Sequence, residues 1–141
     1  MAIEFKGEEI IFAVEDELSA VIRPFNQTGG SKSIEADSID LDTKDKTGSD
    51  YGKVTESVSL EGVLTEGDPF IEYIKGKIRA KELVKIYEIN TRTLDSEHGM
   101  YMISSFEREY SNGDFATYSL EGTLNGAITP ETLLVVPDGA I

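Results

Sequence analysis

The chain has 141 residues, 27 of them acidic and 13 basic, and a formal net charge of −14 at pH 7. This length fits one domain, and an apolar content of 39% with six Phe and six Tyr is enough for a compact core. The negative charge argues against a free-standing nucleic-acid binder and against docking on an anionic membrane, because phosphates and acidic headgroups would be repelled.

Cysteine is absent, which excludes disulfides and thiol chemistry. The first 17 residues, MAIEFKGEEIIFAVEDE, mix charges among the apolar positions, so neither a signal peptide nor a membrane span is predicted there. Elsewhere, no stretch approaches the roughly 20 apolar residues that cross a bilayer. We expect a protein made in a cytosol-like compartment.

The first part of the sequence predicts strands. Residues 8–14 and 17–24 are typical of two short strands around an acidic turn, and residues 34–41 alternate as a half-exposed strand does. Residues 42–52, DTKDKTGSDYG, contain two Gly and no apolar residue before Tyr51, and they predict a loop of about 11 residues.

Residues 53–64 alternate clearly, which predicts a strand with one core face and one wet face. The predicted core positions are Val54, Val58, Leu60 and Leu64, and the predicted wet positions are Thr55, Ser57, Ser59 and Glu61. Asp68 and Pro69 then form a good helix start, and an apolar stripe at helical spacing follows. The stripe consists of Phe70, Ile71, Tyr73, Ile74 and Ile78. Gly76 weakens this helix, whose predicted end lies near residue 80.

The remaining sequence returns to strand patterns, with Asn112-Gly113 as a hairpin signal. The predicted segments are a strand at 83–89, a turn at 93–99, a strand at 100–110, a hairpin turn at 111–114 and a strand at 115–126. Residues 127–141 hold the apolar LLVV between Pro130 and Pro137, and they either add an edge strand or reach a neighbouring subunit. The sequence therefore predicts a mainly β domain over 1–126, a mostly antiparallel sandwich or barrel with one flanking helix, and a C-terminal tail or arm over 127–141.

Two predicted strands carry nearly the same letters, SLEGVL at 59–64 and SLEGTL at 119–124. In both copies the Gly, Gly62 or Gly122, falls on the core-facing phase, where a missing side chain suits a bend or a close neighbour. The opposite face of the two copies holds Ser59, Glu61, Ser119 and Glu121. The plain interpretation is two strands that share one wet face.

Catalytic patterns are missing from the sequence. His98 lies in a polar turn, and a metal site needs three or more converging ligands. The carboxylates are spread evenly as on a solvated surface, and neither a P-loop nor a dinucleotide fingerprint follows a strand. We therefore expect no enzyme activity, no cofactor and no metal site.

Basic residues cluster after position 74, where five of the 13 lie within eleven positions. These residues are Lys75, Lys77, Arg79, Lys81 and Lys85. They form either a solvated helix face or a contact with acidic residues of another copy. The acidic partner would be the stretch 35–50, which includes Asp42, Asp45 and Asp50. Opposite patches on one molecule favour head-to-tail contacts that close into rings or continue as filaments.

Three segments together resemble the major tail protein family, the tail tube proteins of long-tailed, non-contractile bacteriophages. One is a loop with Thr43, Lys44, Asp45 and Gly48 that leads into a strand ending in Glu-Gly. The others are the strand YMISSFE (residues 101–107) and the closing strand ATYSLEG (residues 116–122). The resemblance covers most of residues 5–126, and the tail 127–141 matches no motif.

The resemblance implies a structural virion protein without catalysis, which assembles as hexameric rings stacked into a tail tube through which DNA passes during ejection. It implies that inner strands of six subunits line one channel, and that long loops or arms join successive rings. The implied partners are further copies of the same protein, a tape-measure protein, a tail terminator and tail-tip proteins. The implied location is the virion tail, after assembly in the host cytoplasm.

On this interpretation Ser59, Glu61, Ser119 and Glu121 face the lumen, where carboxylates repel phosphate. The inter-subunit contacts would involve Asp42, Asp45, Asp50, Lys75, Lys77, Arg79 and Lys81. The loop 42–52 is a candidate for an arm that becomes ordered on assembly. Two alternatives stay open: the similar tube of a type VI secretion system, and a carbohydrate-binding β-sandwich. The absence of Trp argues against the carbohydrate module. An acidic hydrolase is disfavoured because the sequence shows no set of residues that would form its catalytic site.

Overall fold

The computed structural model describes residues 4, 6–16, 20–24, 26–44 and 47–134. In chain order the elements are a 3₁₀ turn Gly7–Glu9, β1 Ile10–Glu15, β2 Val21–Ile22, β3 Gln27–Asp42, β4 Thr47–Val63, α1 Pro69–Ala80, β5 Val84–Asn90, β6 Asp95–Glu109, β7 Thr117–Leu124 and β8 Thr129–Thr132. The mainly β, one-helix architecture predicted from the sequence is confirmed.

The strands form one antiparallel sheet in the order β2-β1-β5-β6-β7-β4-β3, and β8 pairs with the start of β6. The long strand β6 therefore belongs to two parts of the sheet. Its first half lies between β5 and β8, whereas its second half, up to Glu109, pairs with β7. The segment after residue 126 contributes the edge strand β8, and residues 135–141 lie outside the described part of the protein.

The sheet curls so that β3, at one end of the strand order, approaches β1, which is next to the other end. A Cβ built on Gly30 of β3 would lie 2.6 Å from the Phe12 ring of β1, so these strands are in close contact. The side chain of Gln27 bridges them, because its Oε1 accepts from the Phe12 N–H at 3.1 Å and its Nε2 donates to the Phe12 carbonyl at 3.0 Å. An amide side chain thus takes the place of a neighbouring peptide group and closes the curl.

The helix α1 packs on the face of the sheet that carries the main core. Asp68 caps it by accepting from the Phe70 N–H at 3.0 Å, and Pro69 occupies the first turn as predicted. Phe70 and Ile74 are fully buried in the main core, together with residues of β1, β4, β5, β6 and β7. The helix ends at Ala80, and Lys81 follows in the left-handed conformation.

Four local predictions are corrected. Residues 47–52 belong to β4, so the predicted loop 42–52 shrinks to a short connection within a long β3–β4 hairpin. Val54, predicted in the core, is 56% exposed because this hairpin extends beyond the body of the sheet. The predicted turn 93–99 ends early, since β6 begins at Asp95. Finally, the predicted strand 17–24 contributes only Val21–Ile22 among the described residues, and positions 17–19 lie outside them.

Within the described residues, α1 is too short and too polar to cross a bilayer.

Candidate functional site: a polar sheet face and a charged hairpin

The four wet-face residues predicted from the repeat lie side by side. In the β4–β7 pairing, Ser59 is opposite Glu121 and Glu61 is opposite Ser119. Directly opposed residues of antiparallel strands project on the same side of the sheet. The structure therefore brings the four candidate lumen residues together on one face of the sheet.

This polar sheet face extends to both neighbouring strands, which the sequence interpretation missed. On β3, Ser31 lies opposite Ser59 and Ser33 opposite Ser57, and the Ser33 and Ser57 hydroxyls are 2.8 Å apart. Twelve positions of this face hold hydroxyl or carboxylate side chains: Ser31, Ser33, Ser57, Ser59, Glu61, Ser105, Glu107, Glu109, Thr117, Ser119, Glu121 and Thr123. Gly29, opposite Glu61, and Val63, opposite Thr117, also lie on it. The exposed Met102, opposite Thr123, lies at the border of the face. The signal that could have found the additional strand is the alternation Gly29-Gly30-Ser31-Lys32-Ser33.

The other side of the same strands forms the core, and there the two repeats differ. A Cβ added at Gly62 would lie 2.6 Å from the Tyr118 hydroxyl oxygen, whereas one added at Gly122 would meet its nearest atoms at 3.4 Å. Both glycines are buried, as the core-facing phase predicted. Gly62 is required so that the Tyr118 ring can cross β4.

Two strand edges flank the polar sheet face and pair with no other described strand. The outer edge of β3 is one end of the sheet. The second half of β6 is the other, because the pairing of β5 with β6 stops at Tyr101 while β7 continues to Glu109 on the opposite edge. Across the four strands β6, β7, β4 and β3 the direction alternates, so β3 runs antiparallel to β6.

The basic cluster is divided by the structure. Three of its members are paired within the molecule: Lys75 with Glu72 at 2.8 Å, Lys77 with Glu82 at 2.8 Å and Lys85 with Glu15 at 3.1 Å. Arg79 and Lys81 are exposed at the end of α1. Of the predicted contact residues, these two are therefore the cations most available to another molecule.

The acidic stretch lies on the β3–β4 hairpin. Asp42 and Asp50 are exposed near its end, and Asp45 lies outside the described residues. Large apolar side chains are exposed beside them, among them Ile39 and Tyr51, the latter 79% exposed. Projecting strands that combine carboxylates with exposed apolar groups are typical of a contact surface.

A separate charged cluster lies between β3, β5 and the first half of β6. The Lys32 ammonium is 3.2 Å from the Glu97 carboxylate, and Glu97 lies directly opposite Glu88. Burial raises the pKa of Glu88, with the Glu97 and Glu56 charges acting in the same direction and Lys32 against it. Burial likewise raises the pKa of Tyr101, whose hydroxyl is a hydrogen-bond partner of Lys32. The cluster borders a cleft of about 840 Å³ between β1 and β3.

His98, which the sequence placed in an exposed turn, lies half-buried on β6. Its ring centre is 4.8 Å from that of Tyr87, and its Nε2 is 3.4 Å from a carboxylate oxygen of Glu131 on β8. Within the described ranges, no group of three or more His, Asp or Glu side chains is arranged to hold a metal ion.

Comparison with solved structures gives the fold a context. The tail of a gene transfer agent particle with C6 symmetry matches with a TM-score of 0.78 at 18% identity, covering 89% of this protein and 98% of that one. The SPP1 tail tube matches with a TM-score of 0.78 at 16% identity, covering 92% and 80%. The PVC sheath–tube complex of an extracellular contractile injection system matches with a TM-score of 0.69 at 14% identity, covering 92% and 93%.

Curated protein sequences include no significant match to this sequence. The sequence model of the phage tail tube proteins matches residues 4–130, which is most of the sequence. The chain belongs to the phage tail tube protein family.

Proposed function

We propose that this protein is the structural subunit of a phage tail tube, in which rings of six copies stack around a channel for DNA. The observation that carries the proposal is the four-stranded polar sheet face, which is bounded on both sides by free strand edges. Membership of the tail tube family supports this role, and the C6 symmetry of the gene transfer agent tail supports the number six.

Ring closure follows from the two edges. Because β3 runs antiparallel to β6, the β3 edge of one copy meets the β6 edge of the next in the ordinary antiparallel arrangement. A contact between two different surfaces repeats from copy to copy and closes into a ring when the rotation allows. Exposed edges, otherwise an aggregation hazard, are in this way used for assembly.

The polar sheet face becomes the channel wall in such a ring. Its side chains are short hydroxyls and carboxylates, including the predicted lumen residues Ser59, Glu61, Ser119 and Glu121. Carboxylates repel phosphate, and hydroxyl groups offer no fixed positive charge, so DNA passes without being held.

Stacking of rings uses the β3–β4 hairpin in this proposal. Its exposed Asp42 and Asp50 provide negative charge, and Arg79 and Lys81 at the end of α1 provide the complementary positive charge. The predicted contacts of Lys75 and Lys77 are weaker candidates, since both amines already pair within the molecule. In this proposal the part of the C-terminal segment that follows β8 serves as an arm, a role that the 93% exposure of Leu134 supports.

The further partners in this role are a tape-measure protein inside the tube, a tail terminator and tail-tip proteins. Assembly takes place in the host cytoplasm, and the finished subunit resides in the virion tail.

A tube of an injection or secretion machine is the second candidate, favoured by the fold shared with a chain of the PVC sheath–tube complex. The two candidates differ in what passes through the channel. A phage tube protein complements a tail-defective phage for DNA delivery, whereas a secretion tube protein does not.

Electron microscopy of the purified protein over a range of concentrations tests the proposal. We expect rings or tubes with a central channel, and a protein that stays monomeric at every concentration and salt would contradict it.

The channel wall is tested by Glu61→Lys with Glu121→Lys, which should leave tubes intact and slow DNA ejection. Glu4→Lys with Glu66→Lys, at positions off the polar sheet face, makes the same change in net charge and should have no effect.

A further inference from the structure

Two of the four asparagines in the sequence precede glycine, and both pairs lie in turns. Asn112-Gly113 is in the turn between β6 and β7, and Asn125-Gly126 follows β7. Both glycines have positive φ, 93° and 109°. The other two asparagines precede Gln and Thr, and Asn90 is buried with its side-chain oxygen accepting from the Arg92 N–H at 2.9 Å.

We propose that Asn112 is a site of spontaneous deamidation, which converts the β6–β7 turn to aspartate or isoaspartate. The peptide nitrogen of Gly113, having lost its proton to water or hydroxide, attacks Cγ, the amide carbon of the Asn112 side group. A new bond forms between this nitrogen and Cγ, the bond from Cγ to Nδ2 breaks, and Nδ2 leaves as ammonia with protons from water. One water molecule then opens the five-membered imide at either carbonyl, which gives aspartate or isoaspartate.

The local structure favours the attack at this position. Gly113 has no side chain to obstruct the approach of its nitrogen. The hydrogen bond that closes the turn is donated by the Asp114 N–H to the Ser111 carbonyl at 3.2 Å, and the Gly113 N–H makes no hydrogen bond to another described residue. The flanking Tyr110 and Phe115 are 70% and 83% exposed, so no core contact restrains the turn. The backbone is therefore free to reach the geometry of ring closure.

The turn at Asn125 is held more firmly. The Asn125 N–H donates to the Met100 carbonyl at 2.8 Å, and Leu124 and Ile128 on either side pack against the core. Formation of the imide ring at Asn125 therefore has to displace residues that are anchored by these contacts. We expect the order of reaction to be Asn112 first, Asn125 more slowly, and Asn26 and Asn90 not at all on the same time scale.

The fold tolerates the product at Asn112. The β6–β7 register is set by pairs such as Glu109–Thr117, which leaves residues 110–116 as a connection that can absorb an extra backbone atom. Each event adds one carboxylate near Asp114. Aged subunits would thus stay folded while carrying additional negative charge at the tip of this hairpin.

The test is incubation of the purified full-length protein in mildly alkaline buffer at physiological temperature, with peptide mapping by mass spectrometry and an isoaspartate methyltransferase assay. We expect the Asn112 peptide to show the mass increase caused by replacing NH with O before any other asparagine-containing peptide does. The rate of this change should rise with hydroxide concentration. The variant Asn112→Gln, which keeps the amide but needs a less favourable six-membered ring, should lose most of the isoaspartate signal. Conversion at Asn112 no faster than at Asn125 or Asn90, or an unchanged signal in Asn112→Gln, would overturn the proposal.

Discussion

Tyr118 carries a hydroxyl group that is buried without a hydrogen-bond partner among the described residues. Burial, and then the nearby Asp68 charge, raise the pKa of this phenol well above its ordinary value, so it stays neutral. The ring itself is well used, since it packs against Phe70 and Phe106 at centroid distances of 5.9 and 6.0 Å. Burying the hydroxyl oxygen therefore costs desolvation free energy that no hydrogen bond to a described residue offsets.

Tyr118→Phe should therefore raise the free energy of unfolding by about 1 kcal/mol, because the ring contacts remain and the unpaired hydroxyl is removed. Tyr101→Phe is the matched control: it removes a hydroxyl that interacts with Lys32 and should be neutral or destabilising. Chemical denaturation of both variants measures the difference, and a Tyr118→Phe protein less stable than Tyr101→Phe would contradict it.

Glu88 makes the stability of the fold dependent on pH. Burial raises the pKa of this carboxyl in the folded state, so the folded protein binds the proton more tightly than the unfolded state does. The corresponding stabilisation is fully present below the ordinary glutamate pKa and is lost as the pH rises through the higher folded value. At neutral pH the charged Glu88 therefore destabilises the fold.

Glu88→Gln should stabilise the protein at neutral pH by up to about 1 kcal/mol, because it removes the charge of a partly buried carboxylate. The gain is small because solvent around the half-exposed side chain screens much of that charge. The gain should disappear in acid, where the wild-type carboxyl is already protonated. Thermal unfolding measured across the acid-to-neutral range checks this. A gain that is the same at every pH would show that packing, rather than charge, separates the two proteins.

At the scale of the elements, the repeated strands β4 and β7 are equivalent on the polar sheet face and different in the core. Gly62→Ala should destabilise the protein by about 1–3 kcal/mol, because its Cβ would overlap the buried Tyr118 ring. Gly122→Ala should change stability by less than about 1 kcal/mol, since its Cβ would find nearly ordinary contacts. Equal effects in urea unfolding would mean that Tyr118 moves aside.

The sequence could predict those elements whose pattern is local. Asp68-Pro69 and the apolar stripe defined α1, and the alternation in residues 53–64 defined the two faces of β4. The end of the hairpin escaped prediction because Thr47–Gly52 form a strand through pairing with β3, not through apolar alternation. Tertiary pairing overrides composition there.

The candidate site was predictable only in part for the same reason. Letters repeated in β4 and β7 pointed to Ser59, Glu61, Ser119 and Glu121, and the register shows them adjacent. Residues 29–33 carry a signal for the strand β3 itself, but its position beside β4 depends on a strand order that no spacing reveals. Likewise the basic cluster looked uniform in sequence, whereas distances divide it into paired amines and the exposed Arg79 and Lys81.

For the whole molecule, the charge arrangement predicts how rings join. Arg79→Glu combined with Lys81→Glu should impair tube growth, because the end of α1 would repel the acidic hairpin of another copy. Adding Asp42→Lys and Asp50→Lys to the same variant restores the attraction with reversed signs and should recover growth. Light scattering and electron microscopy measure both steps, with circular dichroism to show that the variants are folded. If the fourfold variant fails as completely as the first, these charges are not partners.

The bridge between Gln27 and Phe12 has a mechanical consequence. Along most of the curled sheet, neighbouring strands are joined by many backbone hydrogen bonds. Among the described residues, the hydrogen bonds between β1 and β3 are the two that the Gln27 side chain makes with Phe12. A curved wall yields first along the line with the fewest connections. When a tube of such subunits bends, we expect each subunit to widen first at this seam, while the strands of the polar sheet face keep their register.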